Sequence, residues 1–348
     1  MGKVKKVLFI IFFVLLALII GIIGVFFYLR AKGERALKEN PVTAYSDSSE
    51  GSGTTEPYIT YKGKKYVYND DIINILCLGI DKDLPIEEKR ASGSEGLADA
   101  VVLISINPED GSIGVPGIPR DTVVPVKVLD TDGNFVRDEN VQITLQYAYG
   151  RTAEQSCELM SSAVSNLLYR LPIHRYCSIN FQAVPVLNDA VGGVEVEVLE
   201  DIDGKHCKLE AGTTVHLDGY EALDYIQDRD TSVSKSSMGR MERQKQYMMN
   251  YFARAKEVIV GDPGLPISVY KELEGNMCTN ITVEDLAYLV PEVIGISLDG
   301  NSIAEIPGEV TQPDENEEFH VDEEALKELV IERFYKEAET TETEGDAN

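Results

Sequence analysis

The chain has no tryptophan and only four histidines and five cysteines in 348 residues, and each scarcity closes off a chemistry. Cys77, Cys157, Cys177, Cys207 and Cys278 form no CxxC pair and share no ligand spacing with a histidine, which excludes the usual zinc and dithiol motifs. Cys77 and Cys157 lie in apolar patterns and read as small buried hydrophobes, whereas Cys177, Cys207 and Cys278 are expected nearer the surface. Their odd number leaves at least one thiol free or paired with another molecule, and one or two disulfides stay open. His174, His206, His216 and His320 are scattered through loop-like segments, which favours hydrogen-bonding roles over catalysis. HExxH, Walker A, GxSxG and GxGxxG are absent. Positive charge is scarce as well: 32 basic against 59 acidic residues give a formal charge of −27. That field repels polyanions and argues against nucleic acid, while a small arginine-lined cleft for a phosphorylated ligand stays possible.

What is present begins at the N-terminus. Residues 1–6 carry Lys3, Lys5 and Lys6, and Val7–Leu29 is an unbroken apolar run of about 23 residues, long enough to span a bilayer. A cleaved signal peptide would have a shorter apolar region and a small-x-small site, so the run reads as a membrane anchor. Arg30, Lys32, Arg35 and Lys38 follow it, which makes the flanking charges nearly even for orientation. Residues 30–56, with the Ser/Gly/acid stretch Ala44–Glu56, are expected to be a flexible tether, 57–336 a folded domain, and 337–348 a disordered acidic tail.

Within the domain, Tyr58–Tyr68 predicts a hairpin, and Ile72–Ile80 and Ala100–Asn107 predict strands covered on both faces. Ser112–Ile118, Thr122–Val128, Tyr176–Phe181 and Val194–Val198 add β segments. Thr152 and Gln155 form a capping box ahead of a helix running to Leu171. Gly219–Asp228, Met241–Val260, a segment opened by Thr282 and Asp285, and Glu323–Lys336 predict further helices. The alternation argues a layered α/β/α fold with a central sheet flanked by helices.

Candidate chemistry lies at element ends. Ile113–Val128 carries Arg120-Asp121 into a β-branched run, where charge is expensive unless an anion, a metal or an internal ion pair meets it. Asp81 follows one buried strand and Asp99 precedes the next; such a pair suits a hard cation such as Mg2+, although turn capping explains either acid alone. Arg240, Arg243 and Gln244 fall on one helix face, and Arg229 lies just upstream. An anion there, or a solvated face partnered by Glu242, both fit the spacing.

These residues occur in a familiar order. Asn74–Asp81 (NILCLGID), Ala98-Asp99-Ala100, Ile118–Thr122 (IPRDT), Tyr147–Gly150 (YAYG), Val191–Val194 (VGGV), Ala222–Tyr225 (ALDY) and Gly239–Gln244 (GRMERQ) resemble the motifs of the LytR-CpsA-Psr family. The resemblance is close over Asp71–Lys256 and weaker over Asn280–Glu309. It implies a mixed β-sheet with an apolar tunnel for a lipid, and a membrane-anchored extracellular enzyme of mostly Gram-positive bacteria, with its N-terminus inside the cell. That enzyme moves a teichoic acid, capsule or other wall glycopolymer from a polyprenyl-pyrophosphate carrier to peptidoglycan. By position, the resemblance makes Asp81 and Asp99 Mg2+ ligands, and gives pyrophosphate to Arg120, Arg229, Arg240 and Gln244. Asp121 would then position or deprotonate the acceptor hydroxyl. Leu97, Gln227 and Ser237 stand where many members carry charged residues, which keeps open a non-catalytic envelope protein that binds polyprenyl lipid or regulates wall assembly.

Overall fold

A computed structural model describes residues 24–39, 41–42, 58–82, 85–86, 92–93, 96–228, 236–296, 302–312 and 317–338. Most of the expected membrane span, all of the Ser/Gly-rich stretch Ala44–Glu56, Arg229 and most of the acidic tail lie outside these residues. Among the described residues no helix is long and apolar enough to cross a membrane.

Six strands form the central sheet: β1 (Ile73–Ile80), β2 (Ala98–Asn107), β3 (Ser112–Ile118), β4 (Arg175–Asn180), β5 (Met277–Thr279) and β6 (Ile303–Glu305). Their spatial order is β5-β4-β1-β2-β3-β6. β1 runs parallel to β4 and antiparallel to β2, and β3 runs parallel to β6, so the sheet is mixed. Alternation along β1 divides its side chains between two cores, which is why the sequence reads there as a nearly continuous apolar run. Leu76, Leu78 and Ile80 join Leu103 and Tyr176 under helices α2 (Ala153–Leu167) and α8 (Glu323–Phe334), through Cys157, Met160, Leu326 and Val330. Ile73 and Ile75 join Ile106 on the other face, against Tyr288 and Leu289 of α7 (Val283–Gly295). The expected layering is present. A third core packs the ribbon of Val194–Glu197 and Thr214–Leu217 against α4 (Gly219–Gln227) and α5 (Ser236–Gly261). Its tight entry needs glycine: Gly193 has φ +86, and a Cβ there would overlap the His216 ring.

Several elements differ from the sequence expectation. Residues 24–39 form a helix, α1, so the part of the tether expected from residue 30 is ordered as far as residue 39. Leu37 is fully buried in the core beneath α7, Arg30 pairs with Glu292, and Lys32 Nζ lies 2.7 Å from Glu284 Oε1. Phe135–Gln142 is a strand pairing with Val123–Leu129 although its sequence, FVRDENVQ, is mostly charged or polar. This strand is largely solvated on both faces, so no apolar alternation marks it. The last helix stops at Phe334, and Tyr335–Glu337 instead pairs with the N-terminal hairpin. Cys207 and Cys278 are buried rather than near the surface, and all five cysteines are free thiols.

The start of β4 carries two buried polar groups. Arg175 grips Asp285 through Nε–Oδ2 at 2.7 Å and Nη2–Oδ1 at 3.0 Å, with both side chains almost fully buried. Beside it, the His174 Nδ1 accepts the Asn74 backbone N–H at 2.9 Å. Burial and the neighbouring Arg175 charge push the His174 imidazole down to about 4. The sign follows: an unfolded histidine protonates near its usual value of about 6.5, so acidification from there to pH 4 favours the unfolded chain. Urea unfolding at pH 7 and pH 5 is expected to show a loss of about 2 kcal/mol from this group alone. His174→Gln, which keeps an acceptor, should flatten the pH slope by that amount; an unchanged slope would show that His174 is not the group titrating.

Candidate functional site

The β1–β2 ladder has an irregularity at one end. Gly79 pairs with Ala100 and Ile80 with Ala98, which leaves Asp99 as the extra residue of a bulge. A bulge re-aims a side chain that regular pleating would fix on one face. Asp81 follows directly, its N–H donating to the Leu97 carbonyl at 3.0 Å, so both acids sit at the same end of the ladder. The turn leaving β3 delivers Arg120 and Asp121 there too. Arg120 Nη1 donates to Asp99 Oδ1 at 2.5 Å, and its Nε lies 3.5 Å from Asp121 Oδ1. The guanidinium therefore bridges two part-exposed carboxylates from different strand ends.

Asp121 is further fixed from behind. Its carbonyl accepts the Phe319 N–H at 2.9 Å, and its Oδ1 accepts Gln142 Nε2 at 3.1 Å. The same Gln142 nitrogen donates to the Glu317 carbonyl at 2.7 Å. Burial raises the Asp121 carboxyl above its usual range against the pull of Arg120, with Glu317 and Asp99 adding to the rise and Arg240 opposing it. Arg240, early in α5, is therefore near enough for its charge to act on the same acid. A carboxylate with a raised proton affinity and two arginines nearby can hold a proton beside a bound anion.

The structure brings together Asp81, Asp99, Arg120, Asp121 and Arg240, while Arg229 lies outside the described residues. Gln244 is exposed, and its Nε2 donates to the Ile226 carbonyl at 3.0 Å, at the C-terminal turn of α4. Its neighbour Arg243 is buried, donating to the Tyr225 and Asp228 carbonyls that end α4. Arg243 Nε lies 2.8 Å from Glu200 Oε1, close enough for an ion pair though not aligned as a hydrogen bond. The helical spacing of Arg240 and Arg243 conceals this division: the charge of one acts on Asp121, and the other caps a helix. Gln142 carries no signal in the sequence, because its role depends on the arm that returns it to Asp121.

Two acids at one strand end suit a hard cation that takes few carboxylates and keeps water or phosphate oxygens, so Asp81 and Asp99 fit Mg2+. Among the described residues no group of three or more histidines, cysteines or acids is arranged to hold a metal by protein ligands alone.

Comparison with known proteins places this geometry in a family. The sequence pattern of the LytR_cpsA_psr family matches residues 32–333. A Bacillus cereus protein named polyisoprenyl-teichoic acid–peptidoglycan teichoic acid transferase TagU is 26% identical over 312 residues, 88% of each chain. An Oceanobacillus iheyensis protein of the same name is 28% identical over 228 residues, and the match spans 65% of this chain and 64% of that relative. The crystal structure of Bacillus subtilis TagV superposes with a TM-score of 0.58 at 24% identity, covering 75% of this chain and 94% of TagV. A structure of TagT bound to LIIa-WTA gives 0.56 at 23% identity, over 75% and 89% of the two chains. These structures share the mixed sheet and flanking helices.

Proposed function

The chain belongs to the LytR_cpsA_psr family, and from that membership we propose that it transfers an anionic wall glycopolymer from a polyprenyl-pyrophosphate carrier to peptidoglycan. The observation that carries this reading is Arg120 braced between Asp99 and Asp121, with the charge of Arg240 also acting on Asp121. The two arginines grip the pyrophosphate and offset the charge that develops on its oxygens. The acceptor hydroxyl oxygen forms a bond to the glycan-side phosphorus as the bridging P–O bond breaks, releasing polyprenyl phosphate. Asp121 takes the hydroxyl proton. Mg2+ at Asp81 and Asp99 would supply further charge neutralisation of the pyrophosphate. Arg229 completes the grip by position in the family motif. Gln244 supports the site through the end of α4.

The carrier's prenyl chain would lie on the sheet face beneath α7, where Ile104, Ile281 and Val293 are only partly buried. Residues 7–29 would anchor the protein, with the N-terminus inside and the domain outside the cell. One preparation tests both points. Mass spectrometry of lipid retained by the full chain should find polyprenyl phosphate or pyrophosphate, and Ser46→Cys should react with an impermeant thiol reagent on intact cells. Absence of prenyl lipid, or labelling only after lysis, would overturn the reading.

A non-catalytic lipid-binding or regulatory protein is favoured by one feature: neutral Leu97 and exposed, neutral Gln227 stand at positions that many members give to charged residues. Retained prenyl lipid without transfer from any donor would select this alternative.

A further inference from the structure

A cleft of about 360 Å3 opens at the opposite end of β2 from Asp99, bounded by Ser105, Ile113, Arg333 and Phe334 among others. Six residues separate Asp99 from Ser105, which along a strand is about 20 Å. The cleft is therefore separate from the acid–arginine centre.

Its polar groups are unusual for this chain. Among the described residues, Arg333, in the last turn of α8, is its one charged lining residue, and no carboxylate lines it. No hydrogen bond or ion pair engages Arg333 among the described residues, in a protein where acids outnumber bases 59 to 32. A cation at a helix C-terminus is favoured by the macrodipole, which accounts for an arginine in that turn and leaves its five donors unmatched. Ser105 is 6% exposed, and its Oγ has no hydrogen-bond partner. A buried hydroxyl without a partner costs about 1–3 kcal/mol, a penalty that a ligand oxygen would remove. Ile72, Ile113 and Phe334 supply apolar wall, and the volume exceeds what a lone inorganic anion fills.

We propose that this cleft is a second binding site, for an oxyanion carried on a short apolar stem. The oxyanion, a carboxylate or phosphate ester, takes the Arg333 fork and the Ser105 hydroxyl, and the stem packs on Phe334 and the two isoleucines. The Arg333 side chain passes close to the strand at Gly114: a Cβ there would make an ordinary contact with its Nη1 at 3.6 Å.

Equilibrium dialysis of the full chain in detergent with phenyl phosphate tests the assignment, in an Arg120→Ala background that disables the other anion centre. One equivalent should bind, Arg333→Gln should weaken it at least tenfold, and Ser105→Ala should weaken it several-fold. Arg333 is exposed, so its replacement leaves the fold intact, and matching urea melts check this. Inorganic phosphate should bind at least tenfold more weakly and phenol not measurably. No binding of phenyl phosphate, or binding indifferent to Arg333→Gln, overturns the site; equal affinity for inorganic phosphate overturns the stem.

Discussion

Asp99→Asn is expected to leave the fold intact and to lower transfer of a polyprenyl-pyrophosphoryl glycan to peptidoglycan at least about tenfold, equivalent to about 1.4 kcal/mol of transition-state stabilisation. Asparagine preserves the shape of the bulge but withdraws the charge that Arg120 meets at 2.5 Å and that a hard cation would require. Arg120→Ala should cost more, since it removes the bridge between Asp99 and Asp121 together with the proposed contact to the anion. Removal of Mg2+ by a chelator should abolish turnover while prenyl lipid is still retained, because lipid binding draws mainly on apolar area at about 25 cal/mol per Å2. Transfer that is measurable in the wild type and unchanged in both variants would remove these residues from the site.

Asp285→Ala should have the largest effect on stability. It strands the Arg175 guanidinium inside the protein and removes the carboxylate that accepts the Thr282 N–H at the start of α7. Breaking one side of a buried pair costs about 3–5 kcal/mol, and urea unfolding should show a loss in that range. The double replacement Arg175→Met with Asp285→Leu should recover most of it, because no uncompensated charge is then left behind. A loss below about 1 kcal/mol in the single variant would mean that water reaches Arg175.

The sequence reveals those parts of the molecule whose physics is local. β1 and the following strand are legible because two-sided burial demands apolar runs, and the start of α2 is legible because Thr152 accepts the Gln155 N–H as its capping pattern predicts. Phe135–Gln142 is not legible, since a solvated strand places no demand on its side chains. Within the site, Asp99 and Arg120 stand out as charges against apolar flanks, yet the bulge that brings them together depends on a one-residue offset between paired strands. The roles of Arg243 and Gln142 are hidden for the same reason: their partners lie 18 and 21 residues away and meet them only after folding.

Helix α1 carries a mechanical consequence. A helix rises 1.5 Å per residue, so residues 30–39 lift the chain by about 14 Å from the end of the proposed anchor. Leu37 and the pairs of Arg30 and Lys32 fasten this segment along α7, so it acts as a bracket rather than a rope. A body on a rope samples a hemisphere; a body on a bracket keeps one height and one tilt, and can only swivel about the membrane normal. With the proposed anchor in the bilayer, its working edge would sweep a ring at constant standoff from the lipid surface, and the acceptor strands within reach would be those that pass through that ring.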